Sequence, residues 1–258
     1  MNITRAVIDL NALQQNLQIL QKTAPDSKIL AVVKANAYGH GMVKIAQSLK
    51  EVYAFGVARI NEALTLRDAG VDKPIVLLEG FFEDSDLPTL VAENLQSVIQ
   101  SEQQVEAILK ADLKKPLSVW LKLDTGMHRL GFHPEQFDNV YQQLKNCKNV
   151  QQPINLITHF SCADELDNPV TTEQINLFKQ NIKKDSGLKS LASSAAILAW
   201  PEAHYDMIRP GIALYGISPF AEKDADGFGL KPVMTLKSRL IAVRDHKAGE
   251  SVGYGATW

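Results

Sequence analysis

The sequence has few cysteines and little imbalance of charge. Its 258 residues include two cysteines, and 27 Lys plus Arg stand against 29 Asp plus Glu. Cys147 and Cys162 form no Cys-x-x-Cys pair, which argues against a disulfide framework and against a zinc ribbon. A net charge of -2 provides no electrostatic footprint for nucleic acid or for an anionic membrane. These absences favour small-molecule chemistry in a reducing compartment.

Long apolar runs and standard binding motifs are also missing. Arg5 and Asp9 interrupt the apolar positions of the N-terminus, and no run approaches the ~18 apolar residues of a membrane-spanning helix. We therefore expect a cytoplasmic protein. No Gly-x-Gly-x-x-Gly follows a strand candidate, and the six histidines show no His-Glu-x-x-His or comparable spacing. We accordingly predict neither a dinucleotide-binding sheet nor a metal site.

The sequence does contain a regular alternation of short β-rich runs and helix-patterned stretches, almost to residue 220. This alternation is typical of repeated βαβ units around a parallel sheet. Eight runs suit a closed (β/α)8 TIM barrel, and an open doubly wound sheet is the alternative. The strand candidates are ILAVVK, AFGVARI, PIVLLEG, LQSVI, LSVWLKLD, NLITHF, SLASSAAIL and MIRPGIALYG.

The pattern changes after about residue 220. The segment AEKDADGFGLKP is a polar connector that contains Gly and Pro, and the stretch after it alternates like antiparallel strands. We predict a barrel domain over residues 1–225 and, over residues 226–258, the truncated start of a mostly β C-terminal domain. A first strand at about residues 2–10 is a candidate to pair with that second domain.

The first candidate for chemistry is Lys34, within AVVKANAYGHG at residues 31–41. An apolar strand ends at this lysine, and the carboxyl ends of barrel strands face the catalytic mouth. A strand-end lysine taken alone is more often a surface group whose stem lies along apolar side chains. The other motifs in the chain decide between these two interpretations.

AVVKANAYGHG resembles, residue for residue, the cofactor-lysine motif of the alanine racemases, which are fold-type III enzymes dependent on pyridoxal 5′-phosphate. The resemblance continues along the chain through GVARINEA, LKLDTGMHRLGF, THFSCAD, SSAAIL, RPGIALYG and VGYGATW, in the family's order. It implies a barrel followed by a mostly β domain. It also implies a homodimeric isomerase that interconverts L-alanine and D-alanine and supplies D-alanine for the peptidoglycan of the cell wall.

The same resemblance implies which residues perform the reaction. Lys34 would form the Schiff base with pyridoxal phosphate and then act as a proton-transfer base on one face of the substrate Cα. Tyr254 of VGYGATW would be the second base on the opposite face of the external aldimine, since racemisation removes a proton on one side and delivers one on the other. His159 and Arg209 would supply positive charge near this tyrosine. In the family the tyrosine reaches the partner's barrel, so each site would combine two chains.

Other residues would hold the cofactor and the substrate. Arg209 would donate to the pyridine nitrogen, and Arg129 would contact the phenolic oxygen and the substrate carboxylate. The phosphate would lie in the loops after strands seven and eight, where barrel phosphate sites recur. Its ligands would be Tyr38, Ser194 and the backbone N–H groups of Gly211 and Ile212.

Lys122 of LKLD matches a lysine that is often carbamylated in the family. A carbamate would be an anion able to orient Arg129, because a guanidinium offers paired donors. The alternative is an unmodified Lys122 paired with Asp124 or with another acid.

The family resemblance leaves alternatives for the activity of the chain. Relatives continue beyond Trp258, so we expect a fragment that binds pyridoxal phosphate with little or no turnover. The alternative function is a barrel that carries the cofactor without racemising amino acids, since such carriers lack the second domain. Tyr254 and Arg129 favour the racemase. Specificity for another amino acid stays open, because a methylene is worth only ~1–3 kcal/mol.

Overall fold

The strands of this computed structural model, which describes residues 3–257, build one parallel sheet and one antiparallel ribbon. They are β1 (Arg5–Ile8), β2 (Lys28–Val32), β3 (Ala54–Val57), β4 (Ile75–Leu77), β5 (Leu95–Ile99), β6 (Val119–Lys122), β7 (Asn155–Ile157), β8 (Lys189–Ser190), β9 (Met207–Ile208) and β10 (Met234–Lys237). The parallel sheet has the order β8-β7-β6-β5-β4-β3-β2-β9. Between β8 and β9, Ser190 Oγ donates to Met207 O at 2.6 Å. The predicted (β/α)8 barrel is therefore confirmed as a nearly closed sheet.

The helices lie between successive strands and cover the outside of the barrel, except α2, a short left-handed segment at the barrel mouth. They are α1 (Leu10–Thr23), α2 (Lys34–Tyr38), α3 (Met42–Ser48), α4 (Ile60–Asp68), α5 (Leu87–Ala92), α6 (Glu102–Lys110), α7 (Pro134–Lys145), α8 (Val170–Asn181) and α9 (Ser194–Ala199). In α7 the proline occupies the first turn, where its missing N–H costs nothing. Among the described residues, we find no helix with the length and apolarity needed to cross a bilayer.

The barrel strands are buried on both faces, which explains their almost continuous hydrophobic runs. Successive residues of a strand point to opposite faces, so β2 contributes Leu30 and Val32 to the barrel interior and Ile29 and Ala31 to the layer under the helices. Trp120 fills the interior and donates its indole N–H to Gln96 Oε1 at 2.8 Å. The interior is thus packed, and a ligand can enter only at an end of the barrel.

Most strands are shorter than the sequence predicted, and two candidates overlap strands of only two residues each. Within SLASSAAIL the chain leaves the sheet after Ser190, and the alanine-rich part forms α9, in agreement with the high helix propensity of alanine. Within MIRPGIALYG the strand ends at Ile208, two residues before Pro210, which has no N–H for a ladder. Residues Ile212–Tyr215 form a 3-10 turn. Both corrections lie where the chain builds the barrel mouth.

The antiparallel ribbon lies outside the barrel sheet. In it, β1 pairs with β10, with Arg5 opposite Lys237 and Ile8 opposite Met234. Beyond β10 the side chains are mostly exposed, as Ile241 illustrates with 93% of its surface accessible. The predicted domain boundary near residue 225 stays a prediction.

Candidate active site

A cleft of about 650 Å³ opens at the carboxyl ends of the barrel strands. Small-molecule sites commonly have volumes of about 300–1,000 Å³. Barrel enzymes place their catalytic groups at this end of the barrel. The sequence-predicted residues that line the cleft are Lys34, Tyr38, Lys122, Arg129, His159, Ser194, Arg209, Gly211 and Ile212.

The chain makes a left-handed turn directly after Lys34. Residues 35–38 have φ between 51° and 55°, although none of them is glycine. Each such L-residue costs roughly 1–2 kcal/mol. The turn is held by surrounding groups: the Ala35 N–H donates to Glu62 Oε1 at 2.7 Å, and His40 Nδ1 donates to two carbonyl oxygens of the turn at 2.9 and 3.1 Å. Strain of this kind persists only where the surrounding structure fixes it, as it often does at functional sites.

Arg209 is a buried guanidinium, only 5% exposed. Its Nη1 donates to Ser190 Oγ at 2.7 Å, and Nη2 donates to the carbonyl oxygens of Thr158 and Leu191 at 2.6 and 3.1 Å. These acceptors are neutral, and within residues 3–257 no carboxylate lies within salt-bridge distance of this arginine. Burial lowers the pKa of Arg209 to about 10, so it stays a cation at neutral pH. The fold therefore holds an unneutralised positive charge at the floor of the cleft.

His159 lies beside this cation and is neutral. Burial, together with the charges of Arg209 and Lys122, lowers its pKa to about 3. Arg209 Nη2 lies 3.3 Å from His159 Nδ1, which accepts the hydrogen bond and leaves the proton on Nε2. The prediction that His159 adds positive charge to the site is therefore wrong. The repulsion comes from cations on other strands, which the sequence alone did not reveal.

Lys122, only 8% exposed, is a buried amine among cations. Burial, together with the charges of Arg209 and Arg129, lowers its pKa to about 8. Among the described residues it forms no ion pair. The proposed pairing with Asp124 is wrong, because Asp124 turns its carboxylate toward the following loop instead.

The predicted phosphate ligands lie side by side at one end of the cleft. Ser194 Oγ accepts the N–H groups of Gly211 and Ala213 at 3.0 and 3.2 Å, which leaves its own proton available to a ligand. A Cβ on Gly211 would lie only 2.7 Å from the Tyr38 hydroxyl oxygen. Over the described chain, the Ile212 N–H has no protein acceptor. The Gly211 N–H is thus used to orient Ser194, while two hydroxyls and the Ile212 N–H remain for an anion.

Tyr254 is not brought to this cleft. Its side chain is fully exposed, and the lining of the cleft does not include it. Arg129 does line the cleft, from the loop after β6, and its side chain is exposed at the rim.

Two acidic lining residues were missed by the sequence analysis. Glu79 follows β4 and lies 3.7 Å from Arg59, while Asp164 belongs to the THFSCAD motif. Glu79 could have been found, because it stands at the end of the PIVLLEG strand candidate, where barrel side chains face the mouth.

A barrel whose mouth combines an amine, a buried guanidinium and a pocket of hydroxyl and N–H donors defines a class: barrel enzymes that bind a small anionic ligand and can bond covalently to it. A family model described as "Alanine racemase, N-terminal domain" matches residues 8–219. The chain belongs to the alanine racemase family.

Individual relatives agree with the family model. The alanine racemase of Vibrio parahaemolyticus is 54% identical over 258 residues, which is all of this chain and 72% of that protein, and that of Edwardsiella ictaluri is 53% identical over 260 residues, with the same coverage. The crystal structure of the biosynthetic alanine racemase from Pseudomonas aeruginosa matches with a TM-score of 0.95 at 45% identity, covering all of this chain and 72% of that one. The resemblance read from the motifs is thereby confirmed.

Proposed function

We propose that this chain interconverts L-alanine and D-alanine with pyridoxal 5′-phosphate bound in the cleft. The observation that carries the proposal is the presence of Lys34, Arg209 and the phosphate-type pocket around Ser194 in one cleft. The whole of the chain, including the segment after residue 225, aligns with proteins named alanine racemase. That coverage favours a racemase over a barrel that only carries the cofactor.

The residues present fit this cofactor. Lys34 offers an amine to the aldehyde, Arg209 offers a fixed cation to the ring nitrogen, and the hydroxyls of Tyr38 and Ser194 offer protons to the phosphate. Because Gly211 has no Cβ, the space beside the Tyr38 hydroxyl stays open. When bound, pyridoxal phosphate withdraws electrons from an attached amino acid and makes its Cα proton acidic.

The chain's own residues then divide the proton transfer. Lys34 would hold the cofactor through its amine, and that amine, when free, would move a proton at Cα on its own face. Arg209 stays charged and keeps its protons, because its pKa of about 10 lies well above neutral pH. It would therefore donate a hydrogen bond to the ring nitrogen of a bound cofactor without protonating it. His159 accepts from Arg209 and keeps the guanidinium oriented.

The second base is Tyr254, supplied by a second copy of the chain. Its exposed position, outside the cleft of its own chain, supports this part of the proposal. A homodimer is then required for turnover, because removal and delivery of the proton take place on opposite faces of Cα. The same proposal includes a cytoplasmic location and a supply of D-alanine for peptidoglycan, both of which rest on the family.

Lys122 is proposed to be carbamylated. Carbon dioxide reacts with a neutral amine, and a pKa of about 8 leaves a substantial neutral fraction near pH 7.5. The resulting anion would neutralise part of the charge of Arg209, Arg129 and Lys34, and it would offer Arg129 an acceptor.

The test is to substitute Lys34→Ala and, as a matched control, Lys44→Ala, which removes an exposed lysine of α3 outside the cleft. Each chain is incubated with pyridoxal phosphate, reduced with borohydride and digested, and the modified peptide is identified by mass. Wild type and Lys44→Ala should carry the cofactor on Lys34, and Lys34→Ala should carry none there and lose the long-wavelength absorption of the bound cofactor. Persistent absorption in Lys34→Ala would contradict the proposal. Formation of D-alanine in a coupled assay, at concentrations where the chains associate, separates the racemase from a cofactor carrier.

A further inference from the structure

The loop between β6 and α7 brings three potential metal ligands together at the rim of the barrel mouth. His128 Nδ1 lies 3.0 Å and His133 Nδ1 lies 4.0 Å from Asp124 Oδ2. The ligand atoms of the three residues all lie within 4.8 Å of one another. The carboxylate is 5% exposed, whereas the two imidazoles are 68% and 57% exposed.

The backbone of this loop positions the carboxylate and the first histidine. Asp124 Oδ1 accepts the N–H groups of Gly126 and His128, both at 3.0 Å. His128 itself has φ of 53°, a strained value for a residue with a side chain. His133 precedes Pro134 at the start of α7, and its carbonyl oxygen accepts from the first helical turn.

A simpler interpretation is that Asp124 only stabilises the loop. That interpretation accounts for Gly126 and for His128, which makes a hydrogen bond to Asp124. It does not account for His133, whose side chain makes no hydrogen bond among the residues that the structure describes but turns toward the same carboxylate oxygen. The rings of His128 and His133 lie 5.6 Å apart, so both nitrogens face one small volume.

The geometry suits a borderline divalent cation. Zinc takes imidazole nitrogen and carboxylate oxygen at about 2.0–2.2 Å in a tetrahedral arrangement, which separates neighbouring ligand atoms by about 3.4 Å. The observed separations of 3.0 and 4.0 Å lie on either side of that value. Asp124 Oδ1 accepts the backbone N–H groups of Gly126 and His128, which leaves Oδ2 facing the two imidazoles. Three protein ligands leave one position open to water.

We propose that Asp124, His128 and His133 form a binding site for a divalent cation of the zinc type at the rim of the cleft. The prediction of no metal site rested on the lack of a standard ligand spacing, and spacings of four and nine residues along a loop belong to no such motif. A bound cation would tie the two ends of the loop together. Arg129 lies within this loop, so the cation would also restrict the segment that carries a cleft-lining arginine.

The test uses the untagged chain, stripped with a chelator and titrated with Zn²⁺ by calorimetry and with Co²⁺ by absorption spectroscopy. We expect one ion per chain, with a tetrahedral cobalt spectrum that lacks thiolate charge transfer and so excludes Cys147 and Cys162 as ligands. His133→Ala is the decisive variant, because the His133 side chain makes no hydrogen bond among the described residues, so its removal breaks none. It should weaken binding at least about 10-fold, since even the loss of a residue behind a metal ligand costs 10–100-fold.

The matched control is His246→Ala. His246 Nδ1 lies 3.6 Å from Glu250 Oε2, so this variant removes an exposed histidine-carboxylate pair that belongs to no three-residue cluster among the described residues. It should bind zinc as wild type does. Zinc should also slow hydrogen exchange over residues 124–133, because a ligand that binds the folded loop stabilises it. Equal affinity in His133→Ala and wild type, or loss only in His246→Ala, would overturn the proposal.

Discussion

The barrel mouth and the segment that follows residue 237 differ in how far this chain organises them by itself. At the mouth, Arg209 is almost fully buried, and its guanidinium donates to three acceptors at the ends of β7 and β8. In the segment, Ile241 and Tyr254 expose nearly their whole side chains. The residues proposed to hold the cofactor are thus preorganised within one chain, whereas Tyr254, the proposed second base, lies outside the cleft in the described part of the chain.

The physical reason lies in the elements that carry each group. Groups at the mouth stand at the ends of strands whose other residues pack on two faces, so their positions are fixed by the core. Tyr254 stands on a short turn, and the pairing of β1 with β10 is the nearest ladder to it in the chain. A small change in packing at the mouth should therefore change cofactor binding. The contribution of Tyr254 should depend only on the association of two chains.

The largest effect on cofactor binding after loss of Lys34 is expected from Gly211→Ala. Its new Cβ would lie 2.7 Å from the Tyr38 hydroxyl oxygen and would force that hydroxyl away from a bound phosphate. Loss of one hydrogen bond to a charged group is worth about 1.5–3 kcal/mol, so the affinity for pyridoxal phosphate should fall about 10–100-fold. Equilibrium titration measures this change.

Two controls make the Gly211→Ala result specific. The affinity for pyridoxal, which has no phosphate, should change much less. In a Tyr38→Phe background the further loss should be smaller, because the displaced atom is already absent. Equal losses of affinity for pyridoxal phosphate and for pyridoxal would mean that the phosphate binds elsewhere. That result would contradict a phosphate pocket preorganised at the mouth.

An intermediate effect is expected from the pH dependence of stability at His159. Folded His159 has a pKa of about 3, whereas an unfolded histidine titrates near ~6.5. Between these values the unfolded chain binds the extra proton, so the free energy of unfolding falls as the pH falls from about 6.5 toward 3. His159→Gln should flatten this decline by roughly 1–2 kcal/mol between about pH 6.5 and 4.5.

Denaturant unfolding at several pH values checks this expectation. The matched control is His246→Gln, which removes an exposed histidine of the segment after residue 237 and should leave the pH dependence as in wild type. If the stability of His159→Gln keeps the pH dependence of wild type, burial and the cations at the mouth lower the pKa of His159 less than the geometry indicates.

The sequence predicted the barrel and most of the cleft, because strand periodicity and strand ends are local signals. It did not predict the left-handed turn after Lys34, since no glycine marks it and the groups that hold it, Glu62 and His40, come from outside the turn. It also did not predict that His159 is neutral, because the repelling cations stand on several strands. Proximity of His133 to Asp124 likewise depends on the path of a loop, which residue spacing does not encode.

The smallest effect on cofactor binding, and the sharpest test of the comparison, is expected from Tyr254→Phe. Because Tyr254 lies outside the cleft of its own chain, the affinity of the Tyr254→Phe chain for pyridoxal phosphate should stay within about twofold of wild type. A twofold change in affinity corresponds to ~0.4 kcal/mol. Turnover, by contrast, should be lost, since the second face of Cα has no base.

Mixing inactive Lys34→Ala chains with inactive Tyr254→Phe chains shows whether the tyrosine acts in the cleft of a partner chain or in the cleft of its own chain. If the tyrosine acts across a two-fold dimer, each mixed dimer contains one intact site, and random assortment restores about one quarter of the sites. If the tyrosine acts within its own chain, the mixture stays inactive. That result would contradict the expectation that one chain organises the mouth while Tyr254 needs a partner chain.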